Sequence, residues 1–173
     1  MEIKFKHTIG GLKTPKYATE EASCFDIYAA EDAIIKPSEC VAVRTGLIFE
    51  PPKGYGIMLY PRSGISSKTT LRFANSVGVI DNDYRGEVKV LLENVMPLPM
   101  RQYLVPAYQL VDGTMVDGDY SKGYLPEGTI LVKRGDRIAQ AMPIKIEQAK
   151  LVRATEISNT KRGEGGFGST GVK

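Results

Sequence analysis

Short alternations of apolar and polar residues, each cut off by glycine or proline, run along most of the chain. Residues 54–60 place Tyr55, Ile57 and Leu59 on one face, with Met58 and Tyr60 on the other. In residues 87–92, Val88, Val90 and Leu92 fall together, opposite Lys89 and Leu91. Side chains alternate across a strand, so both segments predict half-buried strands. Residues 40–49, rich in β-branched and apolar types and closed by Pro51-Pro52, predict another, and 129–132 and 138–146 continue the pattern. No window keeps a helical apolar period for three turns. The best short helical candidate is 66–71, where Ser66 or Ser67 would cap a single turn. Such short, often interrupted strands predict an all-β sandwich or barrel.

Residues 96–128 break the rhythm. Pro97, Pro99, Pro106 and Pro126 combine with Gly113, Gly118, Gly123 and Gly128 to interrupt any long element. Within this stretch, residues 108–111 and 114–116 flank Asp112-Gly113, a two-residue hairpin signal. About thirty residues cannot build their own core, so this is read as an arm inserted into a single domain covering 1–173. The last twelve residues, 162–173, hold five glycines and predict a mobile tail.

Composition narrows the chemistry more than the fold. A chain of 173 residues with 42% hydrophobic and 25% charged residues fits one ordered globular domain. A single histidine, His7, excludes a two-histidine zinc site and leaves a His-based triad dependent on one N-terminal residue. Cys24 and Cys40 form no CxxC pair, against a disulfide framework or a zinc ribbon. No apolar run approaches a membrane span and Met1-Glu2-Ile3-Lys4 lacks a signal-peptide core, so a cytoplasmic, reducing setting is expected. The net charge is +3, with Lys and Arg interspersed among Asp and Glu. No basic patch is concentrated enough to suggest nucleic acid, and no membrane contact is expected; a small anionic ligand fits the balance.

Five segments carry candidate chemistry. In Arg162-Gly163-Glu164-Gly165-Gly166-Phe167-Gly168-Ser169-Thr170-Gly171, the spacing imitates a dinucleotide fingerprint and, nearly, a P-loop. Both motifs must open a helix after a strand, yet only two residues follow Gly171, and Ser169 stands where a P-loop needs lysine. The segment is either a plain Gly-rich tail or a flap in which free backbone N–H groups, hydroxyls and Arg162 clasp phosphates. Phe167 would then close over a planar ring. Pro61-Arg62-Ser63-Gly64 follows a predicted strand and is either a turn with an exposed charge or a second anion site. In Asn75-Ser76-Val77-Gly78-Val79-Ile80-Asp81-Asn82-Asp83-Tyr84-Arg85-Gly86, two apolar stretches bracket a polar tip, as in a hairpin. Asp83 and Arg85 are read as a turn carboxylate and a solvated charge. Asp81, between Val79-Ile80 and an aromatic, is expected to be partly shielded and able to deprotonate a water, a contribution of roughly 10²–10⁴ in rate. Ser23-Cys24-Phe25-Asp26-Ile27 sets one acid in an apolar stretch, either a buried structural Asp or a ligand. Gly135-Asp136-Arg137-Ile138-Ala139-Gln140 reads as a charged turn leading into a strand.

Taken in chain order, from about Ala22 to Gly171, the five segments resemble the five motifs of the trimeric dUTP pyrophosphatase (dUTPase) family. The spacing agrees except between the third and fourth. The resemblance implies a distorted jelly-roll β-barrel, a homotrimer with an exchanged C-terminal tail, and three active sites shared between subunits. One chain would supply the third motif, a second the first, second and fourth, and the third chain its tail. The implied reaction is Mg²⁺-dependent hydrolysis of dUTP to dUMP and pyrophosphate, which limits uracil in DNA and supplies dUMP for dTMP synthesis. Asp81 would be the catalytic base. Asn75, Gly78, Val79 and Ile80 would read uracil, with Phe167 covering it, and Tyr84 would pack on the deoxyribose. Arg62, Ser63, Gly64, Gln140, Arg162, Gly168, Ser169 and Thr170 would hold phosphates, and Asp26 would hold Mg²⁺ through water.

The chain departs from the family pattern twice. Ser23-Cys24 stands where Ala-Gly is usual, and the larger Cys24 is expected to crowd the backbone near Asp26. The arm at 96–128 replaces what is a tight turn in most members, and some phage-encoded relatives carry insertions there. It would pack on the trimer rim, recruit a protein partner, or be a tolerated surface loop. Two alternatives accompany this reading: a dCTP deaminase of the same fold, with Glu93 near the required catalytic position, and a nucleotide-sensing regulator acting through the arm.

Overall fold

The structure, a computed structural model, describes residues 1–98, 104, 105, 107–117, 125–166 and 169. The strands run β1 (Lys4–His7), β2 (Phe25–Tyr28), β3 (Ala33–Ile35), β4 (Cys40–Glu50) and β5 (Tyr55–Tyr60), followed by the helix α1 (Ser63–Lys68). Then come β6 (Leu71–Phe73), β7 (Gly78–Ile80), β8 (Val88–Asn94), β9 (Leu104–Val105), β10 (Ala107–Leu110), β11 (Met115–Asp117), β12 (Leu125–Pro126), β13 (Ile130–Val132) and β14 (Arg137–Lys145). They form three four-stranded sheets, ordered β1-β4-β8-β6, β2-β14-β5-β7 and β11-β10-β13-β3, with β9 and β12 as a small ribbon. The expected all-β character holds. The alternating residues Ile57, Leu59, Val88, Val90 and Leu92 all turn into one core, joined by Ile27, Ile35, Leu47, Ile130 and Ile138. Among the described residues, no helix is long and apolar enough to cross a membrane.

Two local expectations are corrected. The helical turn begins at Ser63 rather than Ser66, with Arg62 in the N-cap position and no side-chain cap. The buried Thr69 hydroxyl donates to the Ile65 carbonyl at 2.8 Å and closes the other end, so a serine cap is not what sets the helix. The third-motif segment is not a self-paired hairpin either. β7 pairs with β5, while β8 pairs with β4 and β6, so the Asp81 turn carries the chain from one sheet to another.

The arm does contain a hairpin at Asp112-Gly113. β10 and β11 pair antiparallel, and Gly113 adopts a φ of +89°, which a side chain would strain. Less legible in the sequence, β10 also pairs in parallel with β13, which extends a sheet of the main body. At the root, the fully buried Asn94 donates to the carbonyls of Ile35 at 3.2 Å and Gly128 at 2.9 Å. At the far end, Gln109 donates to the Lys68 carbonyl of α1 at 3.3 Å.

Candidate active site

The register of β14 brings three distant segments together. Gln140 lies opposite Asp26 of β2 on one side and Tyr60 of β5 on the other. The chain leaves β5 as Pro61-Arg62, and Gln140 Nε2 donates to the Pro61 carbonyl at 2.9 Å. Arg62 Nε then sits 3.3 Å from Asp26 Oδ1, and an Arg137 guanidinium nitrogen 3.4 Å from Oδ2. Asp26 is only 8% exposed, and a carboxylate so enclosed is tolerated because both oxygens face guanidinium groups. Arg137 therefore is not the free turn charge its sequence context suggested. Asp136 is a turn residue: its Oδ2 accepts the Lys133 N–H at 2.8 Å. Ser63 and Gly64 are exposed on the first turn of α1, and the position a Gly64 Cβ would take faces open space. A cleft of about 480 Å³ opens alongside, lined by Lys13, Lys16, Asp26, Tyr28 and Arg137 among others. Lys13 Nζ is held there by the Gly135 carbonyl at 2.8 Å and lies 5.3 Å from the centre of the Tyr28 ring.

Asp81 lies elsewhere. Across β5, Val79 pairs with Met58 and Gly78 with Leu59. A Cβ on Gly78 would meet Leu59 Cβ at 3.0 Å, so this glycine answers to cross-strand packing. Asp81 opens on a cleft of about 630 Å³ lined by Lys53, Tyr55, Val79, Asn82, Asp83 and Gln148 among others. Its side chain is exposed in the single chain, contrary to the expected shielding, and among the described residues no hydrogen bond or ion pair reaches it. The turn around it is firm: the Tyr84 N–H donates to the Asp81 carbonyl at 3.2 Å. The exposed Arg85 guanidinium donates to the carbonyls of Asn82 at 2.6 Å and Tyr84 at 3.0 Å, so it is engaged rather than simply solvated. The Tyr84 ring lies over Gly86, where a side chain would collide with it, and its hydroxyl donates to the Glu87 carbonyl at 3.2 Å. Asn75 is exposed in a tight turn that puts Ser76 at a φ of +60°, and Val79 is 58% exposed.

The third candidate group stands apart from both. Every residue from 145 to 164 is exposed, including Leu151 at 93%. Arg162 Nε donates to the Gly165 carbonyl at 2.7 Å, and the Ser169 N–H to Gly166 at 2.9 Å, which curls the tail locally. Phe167, Gly168 and Thr170 lie outside the described residues. Within one chain, then, Asp81 is not brought to Asp26, Arg62 and Gln140: the cleft beneath Asp81 includes none of the three, and the Asp26 cleft includes no third-motif residue. Arg137, Asn82 and Arg85 are the site neighbours that the motif reading passed over. Only the pairing of a buried acid with a later arginine could have hinted at the first.

The dUTPase family model matches residues 11–97 and 125–171. The chain belongs to the dUTPase family. The unmatched stretch, 98–124, falls inside the arm. A deoxyuridine 5'-triphosphate nucleotidohydrolase of Nautilia profundicola is 37% identical over 171 residues, covering 99% of each chain. That of a Hydrogenobaculum species is 37% identical over 174 residues, covering 100% of each. Among solved structures, a mutant dUTPase of Staphylococcus bacteriophage 80alpha with dUpNHpp is 28% identical, covers 99% of each chain and superposes with a TM-score of 0.88. A mutant dUTPase of phage phi11 of Staphylococcus aureus, described for its coordination of a structural Mg(II) ion, is 24% identical with a TM-score of 0.84, covering 92% of this chain and 100% of that one. The family fold thus agrees with the jelly-roll expectation.

Within this dUTPase fold the donor set suits a weakly held magnesium ion. Among the described residues no three His, Cys, Asp or Glu side chains cluster, so an all-protein cage is lacking. Asp26 shares its cleft wall with one other carboxylate, Asp136, which accepts the Lys133 N–H, and its own arginine contacts are 3.3 Å and longer. That fits an ion that keeps its waters and takes most direct ligands from substrate phosphates. Glu93, the acid a deaminase would need, sits within β8 opposite Cys40 and Arg72, and does not line the Asp81 cleft. Burial pushes the Cys24 thiol above its ordinary pKa, which favours the unreactive protonated form.

Proposed function

We propose that this dUTPase-family chain hydrolyses dUTP to dUMP and pyrophosphate in the cytoplasm, as a homotrimer whose active sites are shared between subunits. The observation that carries the shared site is the separation of its parts. Asp81 opens on one cleft, Asp26, beside Arg62 and Gln140, on another, and the segment 145–164 leading into the tail is exposed, with Leu151, Val152 and Ile157 uncovered. Sites assembled from the third motif of one copy, the Asp26 group of a second and the tail of a third would use all three surfaces.

In such a site Asp81 accepts a proton from a water that attacks the α-phosphorus. The bond from that phosphorus to the α–β bridging oxygen breaks, and pyrophosphate leaves with the electron pair. Arg62, Ser63, Gly64 and Gln140 hold the phosphates, and Arg162, Gly168, Ser169 and Thr170 close over them. Asn75, Gly78, Val79 and Ile80 read the uracil under Phe167, and Tyr84 packs on the deoxyribose. Asp26 would hold Mg²⁺ through water, and the ion would supply positive charge to the phosphates when bound. Positioning and cations aimed at developing charge contribute most to such phosphoryl chemistry, so Arg62 and Arg162 should carry more than the base. Ordering of the tail excludes water, and its release frees product. The arm offers a protein partner its outer strand, where Met115 is exposed.

The test is a side-by-side assay of dUTP and dCTP with and without EDTA. Pyrophosphate from dUTP, lost on chelation, is expected. Ammonia from dCTP would instead establish the deaminase.

A further inference from the structure

Asn82 separates the proposed base, Asp81, from Asp83, and its side chain makes an unusual set of contacts. Its amide nitrogen donates to three backbone carbonyls: Pro51 at 3.0 Å, Pro52 at 2.8 Å and Tyr55 at 3.0 Å. An NH₂ group has two hydrogens, so one of these bonds is shared between two oxygens. Three convergent acceptors accept only a donor, which fixes the nitrogen, not the oxygen, as the atom facing them.

The acceptors themselves are held in place. Two consecutive prolines restrict the backbone at Pro51 and Pro52, and the Tyr55 N–H donates back to the Pro52 carbonyl at 3.1 Å. The next carbonyl, Gly54, accepts the Ile146 N–H at 2.8 Å, which ties the loop to the segment after β14. From the other side, Arg85 donates to the Asn82 carbonyl at 2.6 Å. The residue after Asp81 is thus anchored through its side chain and its backbone, while Asp81 itself projects free into the cleft.

We infer that Asn82 is a positioning residue for the attacking water. It pins the turn to a rigid carbonyl cradle, so that the Asp81 carboxylate is aimed before substrate arrives. This rests on the proposed role of Asp81. The Asn82 amide nitrogen is committed to three carbonyls rather than to a ligand, so its loss should act on turnover rather than on binding. A misplacement of about 1 Å in a reacting group costs on the order of 10²-fold in rate.

The experiment compares wild type, Asn82→Ala and Asn82→Asp by kcat and KM for dUTP, by affinity for dUpNHpp, and by melting temperature. Asn82→Ala should lower kcat about 10- to 100-fold while KM and dUpNHpp affinity stay within about threefold. Asn82→Asp keeps the shape but turns oxygen toward three carbonyls, so its kcat should fall at least as far. A kcat for either variant within about twofold of wild type would overturn the inference. So would a parallel loss of dUpNHpp affinity and of melting temperature, which marks a general structural role. Wild type that turns over dUTP keeps the functional reading intact in either case. Wild type that does not overturns that reading and the inference with it.

Discussion

Asp26 and Asp81 are the two carboxylates on which the proposed chemistry depends, and their surroundings are opposite. Asp26 is enclosed at 8% exposure, with an arginine on each oxygen. Asp81 stands exposed on a turn braced by its neighbours, and among the described residues nothing bonds to its side chain. The first is fixed by its two arginine partners. The second is fixed through its backbone, and both its oxygens stay open to a water. The difference suits the first to anchoring and the second to the proposed role of base.

The sharpest way to break the contrast is Asp81→Asn. It should lower turnover by roughly 10²–10⁴ while dUpNHpp still binds and the melting temperature barely moves. Near-normal turnover, measured as pyrophosphate release, would remove Asp81 as the base. Asp26→Asn should, unlike Asp81→Asn, also weaken the fold. It leaves Arg62 and Arg137 facing a neutral amide, so stability should fall by about 1–3 kcal/mol in denaturant titration. An unchanged unfolding midpoint would mean that the two arginines are held by something else.

A third carboxylate sharpens the comparison from outside the site. Glu87 binds the Arg44 guanidinium at 2.9 and 3.1 Å and accepts the Gly46 N–H at 2.9 Å, which holds the β4 bulge. The hydrogen bond from Arg44 holds the Glu87 carboxyl below its ordinary value of 4.5, against the opposing effect of burial. A group more acidic in the folded state contributes stability that is fully present above 4.5 and lost as pH falls through the lowered folded value. Glu87→Gln should therefore flatten the acid limb of a melting-temperature profile and leave neutral-pH turnover intact. An unaltered acid limb would deny Glu87 that share of the pH dependence.

Much of this was readable along the chain. Val88, Val90 and Leu92 announced β8, and Ile57 and Leu59 announced β5, because burial on one face of a strand leaves a period of two. Asp112-Gly113 announced the arm's turn because few residue pairs adopt that geometry cheaply. β7 and β6 were too short to carry a period. The helix start leaves no local mark in the sequence, because Arg62 offers no capping side chain. The motif residues Asp81, Arg62 and Gln140 stand out in the sequence as candidates, but their companions do not. Nothing local distinguishes Arg137 as the second partner of Asp26, or Asn82 as the anchor of the Asp81 turn.

The division has a physical cause. Periodicity, turn chemistry and the order of the five segments depend on residues within a few positions of one another, so the sequence alone determined the strand-rich class and the family likeness. Which carboxylate is buried, which arginine covers it, and where the arm attaches depend on contacts between residues far apart in the chain. Gln140 meets Asp26 only because β14 pairs with β2 in one register, and β10 supports the body only because β13 lies beside it. Those pairings are decided when sheets close around a common core, and only the tertiary structure records them.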